Sequence, residues 1–119
     1  MMYGETIKYL RVLYICMKDL TLEELIKKFN IISKSLSVDK FNYPQLEIKM
    51  RMNWDDPKNI FYADFDYVEI KDGGILIGAY GNSATPEDAM RDYYNKIVGK
   101  HLVYRAMNED CRRECVVVG

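Results

Sequence analysis

The chain has 119 residues, of which 49% are hydrophobic and 29% are charged, and its formal net charge is −1. This length and composition predict a single domain over residues 1–119 with one hydrophobic core, and they exclude a wholly disordered chain. The net charge argues against a nucleic-acid partner, because such binding depends on many contacts between phosphates and Lys or Arg.

The N-terminal third predicts two helices. Residues 5–19 place apolar side chains on one helical face but would also suit a strand, and we favour a helix. Residues 21–36 form a clearer amphipathic helix, in which Thr21 is the N-cap and Glu24 stands at the capping-box spacing. A loop follows over residues 37–44.

The middle of the chain predicts three antiparallel strands in a meander. Residues 45–52 alternate between apolar and charged side chains, which is typical of a half-buried strand. The second strand covers residues 60–70, with Tyr67 on its apolar face, and the third covers residues 75–80 after a hairpin turn at residues 71–74. One face of the meander is expected to pack on the helices and the other to meet solvent.

The C-terminal part predicts a helix and two short strands. Thr85 is a suitable N-cap for a helix over residues 86–98, and Gly99 is a natural end for it. Residues 101–106 and 112–118 have the composition of strands. The complete pattern is a two-layer α+β fold, with an antiparallel β-meander packed on helices and the element order α-α-β-β-β-α-β-β.

The cysteines and the start of the sequence bear on where the protein resides. The chain has three cysteines: Cys16, Cys111 and Cys115. An odd number of cysteines is typical of proteins in a reducing compartment. The first residues lack the pattern of a secretory signal, and the apolar run over residues 12–17 is too short to cross a bilayer. These features favour a cytoplasmic protein without a membrane partner.

Two groups of side chains could suggest a metal. Three zinc ligands could come from His101, Cys111 and Cys115. Structural zinc sites have four protein ligands, however, and the sequence has no second pair of closely spaced zinc-binding residues. Aspartates at positions 55, 56, 64 and 66 would suit a two-metal site, but two of them stand opposite Lys49 and Arg51 on the neighbouring strand. Cross-strand ion pairs explain those aspartates better. We therefore expect no metal, no cofactor and no enzymatic activity.

A set of arginine, asparagine and tyrosine side chains is the best candidate for ligand binding. Arginine gives planar, bidentate donors to phosphates and stacks on bases, asparagine can bind a base or ribose edge, and tyrosine can stack. The alternative is that these arginines are scattered over a solvated surface. The candidate ligand-binding residues are Arg51, Tyr80, Arg91, Asn95, Arg112 and Arg113.

Residues 78–116 carry a resemblance to a known group of proteins. The segments concerned are Gly81-Asn-Ser-Ala-Thr-Pro-Glu-Asp-Ala-Met-Arg-Asp-Tyr-Tyr, Ile97-Val-Gly-Lys, Leu102-Val-Tyr-Arg-Ala and Arg112-Arg-Glu. They resemble small early proteins of phages that infect Gram-positive bacteria. Within that group the chain is similar to the Thoeris anti-defence family.

The resemblance implies a non-enzymatic protein that sequesters cyclic ADP-ribose isomers or cyclic oligonucleotides in the cytoplasm of the host cell. It also implies a homo-oligomer, and a ligand held by arginine, asparagine and an aromatic residue. Asn95 and Arg112 match those types near the helix over residues 86–98 and the last strand, and Arg51 and Tyr80 match them more loosely.

The sequence leaves three functions open. The first is sequestration of a nucleotide-derived signalling molecule. The second is a phage-encoded inhibitor that occupies a host protein, which a small, nearly neutral, tyrosine-rich domain would suit. The third is an RNA-binding or antitoxin-like module, because the helix start Thr85-Pro-Glu-x-Ala also occurs in antitoxins and Lys27, Lys28 and Lys34 form a basic cluster.

Overall fold

The structure is a computed structural model, and it describes residues 20–37 and 46–119. The helix predicted over residues 5–19 and most of the loop predicted over residues 37–44 lie outside the described residues. The described chain confirms the α+β class. Its elements are α1 (Leu22–Leu36), β1 (Ile48–Met52), β2 (Phe61–Phe65), β3 (Val68–Asp72), β4 (Ile75–Gly78), β5 (Gly81–Ser83), α2 (Pro86–Ile97), β6 (His101–Tyr104) and β7 (Arg113–Val116).

The strands form two antiparallel sheets rather than one continuous meander. Sheet A has the strand order β1-β2-β5, and sheet B has the order β4-β3-β6-β7. The single strand predicted over residues 60–70 is wrong, because the chain turns at Asp66 and Tyr67 and its two halves enter different sheets. Tyr67 has a φ of 61°, outside the range of an extended strand. The residue is 64% exposed, so its predicted place on the apolar face is also wrong.

Sheet A differs from the prediction at two further points. Residues 81–83, which follow the third predicted strand, form the short strand β5. Met50 and Met52, predicted on a buried face, are exposed. The reason is that β1 lies at the edge of sheet A, whereas α2 packs on β2 and β5.

Aromatic rings fill the centre of the core. Phe29 of α1 contacts Phe65 of β2 edge-on, with ring centroids 5.7 Å apart, and it contacts Tyr93 and Tyr94 of α2 at 6.1 and 5.9 Å. The backbone N–H of Phe65 donates to the Tyr93 hydroxyl at 3.3 Å. Burial raises the pKa of Tyr93 to about 12, so this hydroxyl stays protonated at neutral pH. The rings therefore tie both helices to sheet A.

The predicted helix ends are confirmed. The Thr21 side chain accepts a hydrogen bond from the Glu24 N–H at 3.1 Å, and Thr85 accepts one from the Asp88 N–H at 3.2 Å. Gly99, which follows α2, has a φ of 76°, a left-handed conformation that glycine adopts without steric cost. With 15 and 12 residues, neither helix of the described chain has the length and apolar character needed to cross a membrane.

Strand β5 reaches α2 more closely than any side chain would allow. A Cβ atom at Gly81 would lie 2.1 Å from the Ala89 carbonyl oxygen and 2.2 Å from the Tyr93 backbone nitrogen. Both atoms belong to the helix backbone, which cannot move aside as a flexible side chain can. Glycine at this position therefore sets the distance between sheet A and α2.

We expect Gly81→Ala to destabilise the protein by about 3 kcal/mol or more, because overpacking against backbone has no cheap relaxation. The matched control is Gly78→Ala, since a Cβ at Gly78 would meet nothing within 4 Å. That control should stay within about 0.5 kcal/mol of the wild type. Equilibrium unfolding in urea measures both free energies, and equal values for the two variants would contradict the packing described here.

Candidate functional site

Arg51, the first of the six predicted ligand-binding residues, lies on the outer face of sheet A in an ion-pair network. Its Nη2 donates to Asp66 Oδ1 at 2.6 Å and its Nη1 lies 3.5 Å from Asp64 Oδ2, while Lys49 also pairs with Asp66. The cross-strand ion pairs predicted from the alternation are thus confirmed. The hydrogen bond from Lys49 to Asp66 raises the pKa of the Lys49 amine, and burial raises the pKa of Asp64 against the opposing charge of Arg51.

Tyr80 lies close to the same face through its contact with Tyr62. Tyr62 stands opposite Arg51 on one side and Asn82 on the other, and its ring centroid is 5.4 Å from that of Tyr80. The Lys96 amine donates to the Tyr80 carbonyl at 2.8 Å and lies 5.4 Å from the ring centroid. Two of the predicted residues, Arg51 and Tyr80, are therefore joined by Tyr62.

Arg91 of α2 makes contacts that hold the fold together. Its Nη2 and Nε donate to the Leu20 carbonyl at 2.7 and 3.2 Å, and its guanidinium pairs with Asp88 at 2.6 Å and Glu87 at 3.1 Å. Arg91 thus joins the residue that precedes the cap of α1 to the first turn of α2. Asn95, one turn further along α2, is exposed.

Arg112 and Arg113 stabilise the connection between β6 and β7. Arg112 donates to the Ala106 carbonyl at 3.2 Å and to Glu114 at 3.1 Å, and Arg113 donates to the Arg112 carbonyl at 2.8 Å. The six predicted residues therefore fall in three separate places: the outer face of sheet A, α2, and the β6–β7 connection. Described residues bound cavities of about 500, 320, 260 and 190 Å³, and none of the six predicted residues lines these four.

Glu114 is the centre of a charge network on sheet B. Besides Arg112, it lies 2.7 Å from His101 Nε2 and 3.6 Å from Lys71 Nζ. The Arg112 hydrogen bond, followed by that of His101 and the charge of Lys71, lowers the pKa of the Glu114 carboxyl. The C-terminal strand is thereby held to β3 and β6 by side chains as well as by the backbone.

The strongest departure from regular backbone lies where the two sheets meet. Tyr67 and Arg105 have φ values of 61° and 50°, and they are the only non-glycine residues of the described chain with positive φ. The Arg105 N–H donates to the Tyr67 carbonyl at 2.9 Å, so each residue fixes the other. Such a conformation costs about 1–2 kcal/mol per residue, and residues of this kind concentrate at functional sites.

The side chains at this point form a stack of an aromatic ring, a guanidinium and a second ring. The Arg105 guanidinium carbon lies 4.3 Å from the Tyr67 ring centroid and 5.2 Å from that of Tyr104, and its Nε donates to the Tyr104 hydroxyl at 2.9 Å. Tyr104 is buried, whereas Tyr67 is exposed. We call Tyr67, Arg105 and Tyr104 the junction stack.

Two cavities flank the junction stack. One has a volume of about 260 Å³ and the other of about 190 Å³, and Tyr67 and Arg105 line both. The remaining lining residues are Glu69, Ala106, Met107 and Asn108 in the first, and Leu46, Glu47, Lys49, Asp66 and Tyr104 in the second. Asn108 Oδ1 accepts from the backbone of Asp110 and Cys111, which leaves its amide nitrogen as a donor. The second cavity also touches the ion-pair network that holds Arg51.

A larger cavity of about 500 Å³ lies between α1 and the start of β1. Its aromatic side chains, Phe29 and Phe65, are buried in the core, and its Ser33 hydroxyl already donates to the Leu46 carbonyl. It contains no arginine. The junction stack combines an exposed ring, a guanidinium and an amide, and it is therefore the better candidate for a recognition site.

Tyr67 and Arg105 are not among the six ligand-binding residues predicted from the sequence. The alternation of polar and apolar residues holds up to Tyr67 and changes phase at Val68, and no glycine, proline or asparagine marks the turn. The available hint for Arg105 is its place at the end of a strand, directly after Tyr104. Only the hydrogen bond between the two residues, which are 38 positions apart, reveals the site.

No group of three or more His, Cys, Asp or Glu side chains within residues 20–37 and 46–119 could hold a metal ion. Comparisons with protein-family models, with curated proteins and with solved structures found no match to this chain. The function is therefore inferred from the chemistry of the junction stack.

We expect Tyr67→Gly to be more stable than Tyr67→Ala by about 1 kcal/mol, because glycine accepts the left-handed backbone and alanine does not. Both variants lose the ring, so their difference isolates the backbone. At Tyr62, which lies inside β2, the alanine variant should instead be more stable than the glycine variant, because glycine weakens a strand. Urea unfolding of the four variants tests this, and an alanine variant at position 67 that matches the glycine variant would contradict a left-handed Tyr67.

The lowered pKa of Glu114 means that its ion pairs stabilise the fold above the ordinary carboxylate pKa and are lost as pH falls through the folded value. We expect the wild type to lose more unfolding free energy than Glu114→Gln between neutral pH and about pH 3. Glu109→Gln, which alters an exposed carboxylate without an ion pair to another described residue, should behave like the wild type. Equal acid sensitivity of wild type and Glu114→Gln would refute the network.

Proposed function

We propose that the protein is a non-enzymatic phage counter-defence protein that binds and sequesters a nucleotide-derived signalling molecule in the host cytoplasm, as a homo-oligomer. The ligand class is a cyclic ADP-ribose isomer or a cyclic oligonucleotide. The counter-defence role and the homo-oligomer follow from the resemblance of residues 78–116. One structural observation supports the ligand class: the junction stack presents an exposed tyrosine beside a guanidinium, between two cavities.

The chemistry of the stack suits a nucleobase. A base can lie on the Tyr67 ring, and base–aromatic stacking contributes about 1–3 kcal/mol per base. Asn108 and Glu69, which line the cavity of about 260 Å³, offer an amide donor and carboxylate acceptors to the base or ribose. Tyr67 thus supplies affinity, and the polar groups around it supply selectivity.

The charges around the stack favour a compact ligand over a nucleic-acid chain. Lys49 and Arg105 can meet phosphates, but Glu47 and Asp66 line the same cavity and balance them. Each cavity is smaller than the roughly 300–1,000 Å³ typical of small-molecule sites. A nucleotide would therefore lie across Tyr67, with its base in one cavity and its phosphates beside Lys49 and Arg105 in the other.

The rigid backbone of the stack supports this reading. The hydrogen bond between Arg105 and Tyr67 holds both residues in place before any ligand arrives. A pre-ordered site loses less conformational entropy on binding, which raises affinity without additional contacts. Glycine would be less strained at positions 67 and 105, and ligand recognition explains why the chain has Tyr67 and Arg105 there instead.

We expect calorimetry to detect binding of at least one cyclic ADP-ribose isomer or cyclic dinucleotide to the wild type. Tyr67→Ala should weaken that binding by roughly 5- to 150-fold, the equivalent of about 1–3 kcal/mol of stacking. The matched control is Trp54→Ala, which removes an aromatic ring that is 73% exposed in the turn after β1.

The outcomes of this titration separate the possible sites. If the folded protein gives no heat of binding with any of these ligands, the proposal is contradicted. Loss of binding in Tyr80→Ala but not in Tyr67→Ala would move the site to the outer face of sheet A.

A second candidate function is inhibition of a host protein, which one observation favours. Met50 and Met52 of β1 and Trp54 in the following turn are all exposed, and such side chains are common at protein interfaces. A stoichiometric host partner that is captured by the wild type and lost by Trp54→Ala would support this function. Capture that is unaffected by Trp54→Ala would argue against it.

A further inference from the structure

The four outer strands of the two sheets differ in how they are protected against pairing. Natural edge strands avoid association through charged side chains, proline or shortness. Among the described elements, β1 carries Lys49 and Arg51, β7 carries Arg113 and Glu114, and β5 has only three residues and packs on α2. Strand β4, the edge of sheet B, has the sequence Ile-Leu-Ile-Gly and none of these charged or proline residues.

The apolar side chains of β4 are exposed. Ile75 and Ile77 are 64% and 44% exposed, although isoleucine is among the residues most often buried. Ile77 stands opposite Ile70 of β3, and Ile70 stands opposite Leu102 of β6, which is fully buried. The apolar row of the core therefore continues across sheet B to β4, whose outer side pairs with no other strand within residues 20–37 and 46–119.

We propose that β4 is the interface through which two copies of this chain associate, by antiparallel pairing of β4 with β4 of the second copy about a two-fold axis near Leu76. This pairing sets Ile75 of each copy opposite Ile77 of the other and joins two four-stranded sheets into one of eight strands. The backbone N–H and C=O groups on the open side of β4 then find partners. The row from Leu102 to Ile77 becomes continuous between the copies.

A second copy fits this edge better than it fits β1. Under two-fold symmetry a strand pairs with the same strand of the second copy, so the side chains on either side of the axis must be compatible with one another. The same operation on β1, centred on Met50, would set Lys49 opposite Arg51, a destabilising pair of like charges. Strand β4 meets only apolar side chains, and the net charge of −1 adds little long-range repulsion between copies. This inference rests on the homo-oligomer in the proposed function and specifies its interface, but it does not depend on any ligand.

The test is sedimentation velocity of the full chain across a dilution series, without ligand. We expect a concentration-dependent dimer in the wild type. Ile77→Lys should raise the dimer dissociation constant by at least about tenfold, because it places a charge in a desolvated apolar pair. The matched control, Val116→Lys on the exposed edge strand β7, should leave the dimer intact.

Hydrogen–deuterium exchange of the wild type provides a second measurement that needs no variant. The amides of residues 75–78 should be protected at high protein concentration and lose that protection on dilution. A wild type that stays monomeric at every concentration overturns the proposal, and β4 would then be a candidate for binding a different protein. A dimer that survives Ile77→Lys, or whose β4 amides exchange equally at all concentrations, overturns it as well.

Discussion

The left-handed backbone of Tyr67 and Arg105 is the constraint on which the arrangement of the two sheets depends. Tyr67 stands between β2 and β3, so its turn decides where sheet A ends and sheet B begins. Arg105 directly follows β6, and its hydrogen bond to Tyr67 lies next to the pairing of Val68 with Tyr104. The same contact therefore sets the register of β3 against β6. Two residues determine both the division of the sheets and the alignment of one of them.

The energetics of this constraint explain why it bears on function. Two left-handed residues cost about 1–2 kcal/mol each, and a cation–π contact at a partly exposed ring returns about 0.5–1 kcal/mol. Hydrogen bonds and the packing of Tyr104 offset the rest. Glycine at Tyr67 would avoid the strain, yet the chain keeps a large ring whose surface is mostly in solvent. Because the ring returns less free energy than its left-handed backbone costs, we explain its retention by the ligand proposed above.

The sequence predicted those features that depend on neighbouring residues. The caps at Thr21 and Thr85 and the glycine end of α2 are local, and they occur where predicted. The ion pairs on β1 and β2 followed from strand alternation alone. The break at Tyr67 was not predicted, although the alternation changes phase at Val68, because the hydrogen bond that stabilises the turn comes from a residue distant in sequence. Similarly, residue type selected Arg91 as a ligand-binding candidate, but only the fold shows that its guanidinium binds a backbone carbonyl.

That contact of Arg91 has a consequence for how the sequence can change over evolution. Its two nitrogens bind the carbonyl oxygen of Leu20, a group that every amino acid carries. The hydrogen bonds therefore place no demand on the identity of residue 20, where only the packing of a partly buried apolar side chain limits the choice. Position 91 has no such freedom, because lysine lacks the planar fork that reaches the carbonyl and the carboxylates of the first helical turn together. Related sequences should thus keep arginine at position 91, whereas position 20 should vary among apolar residues.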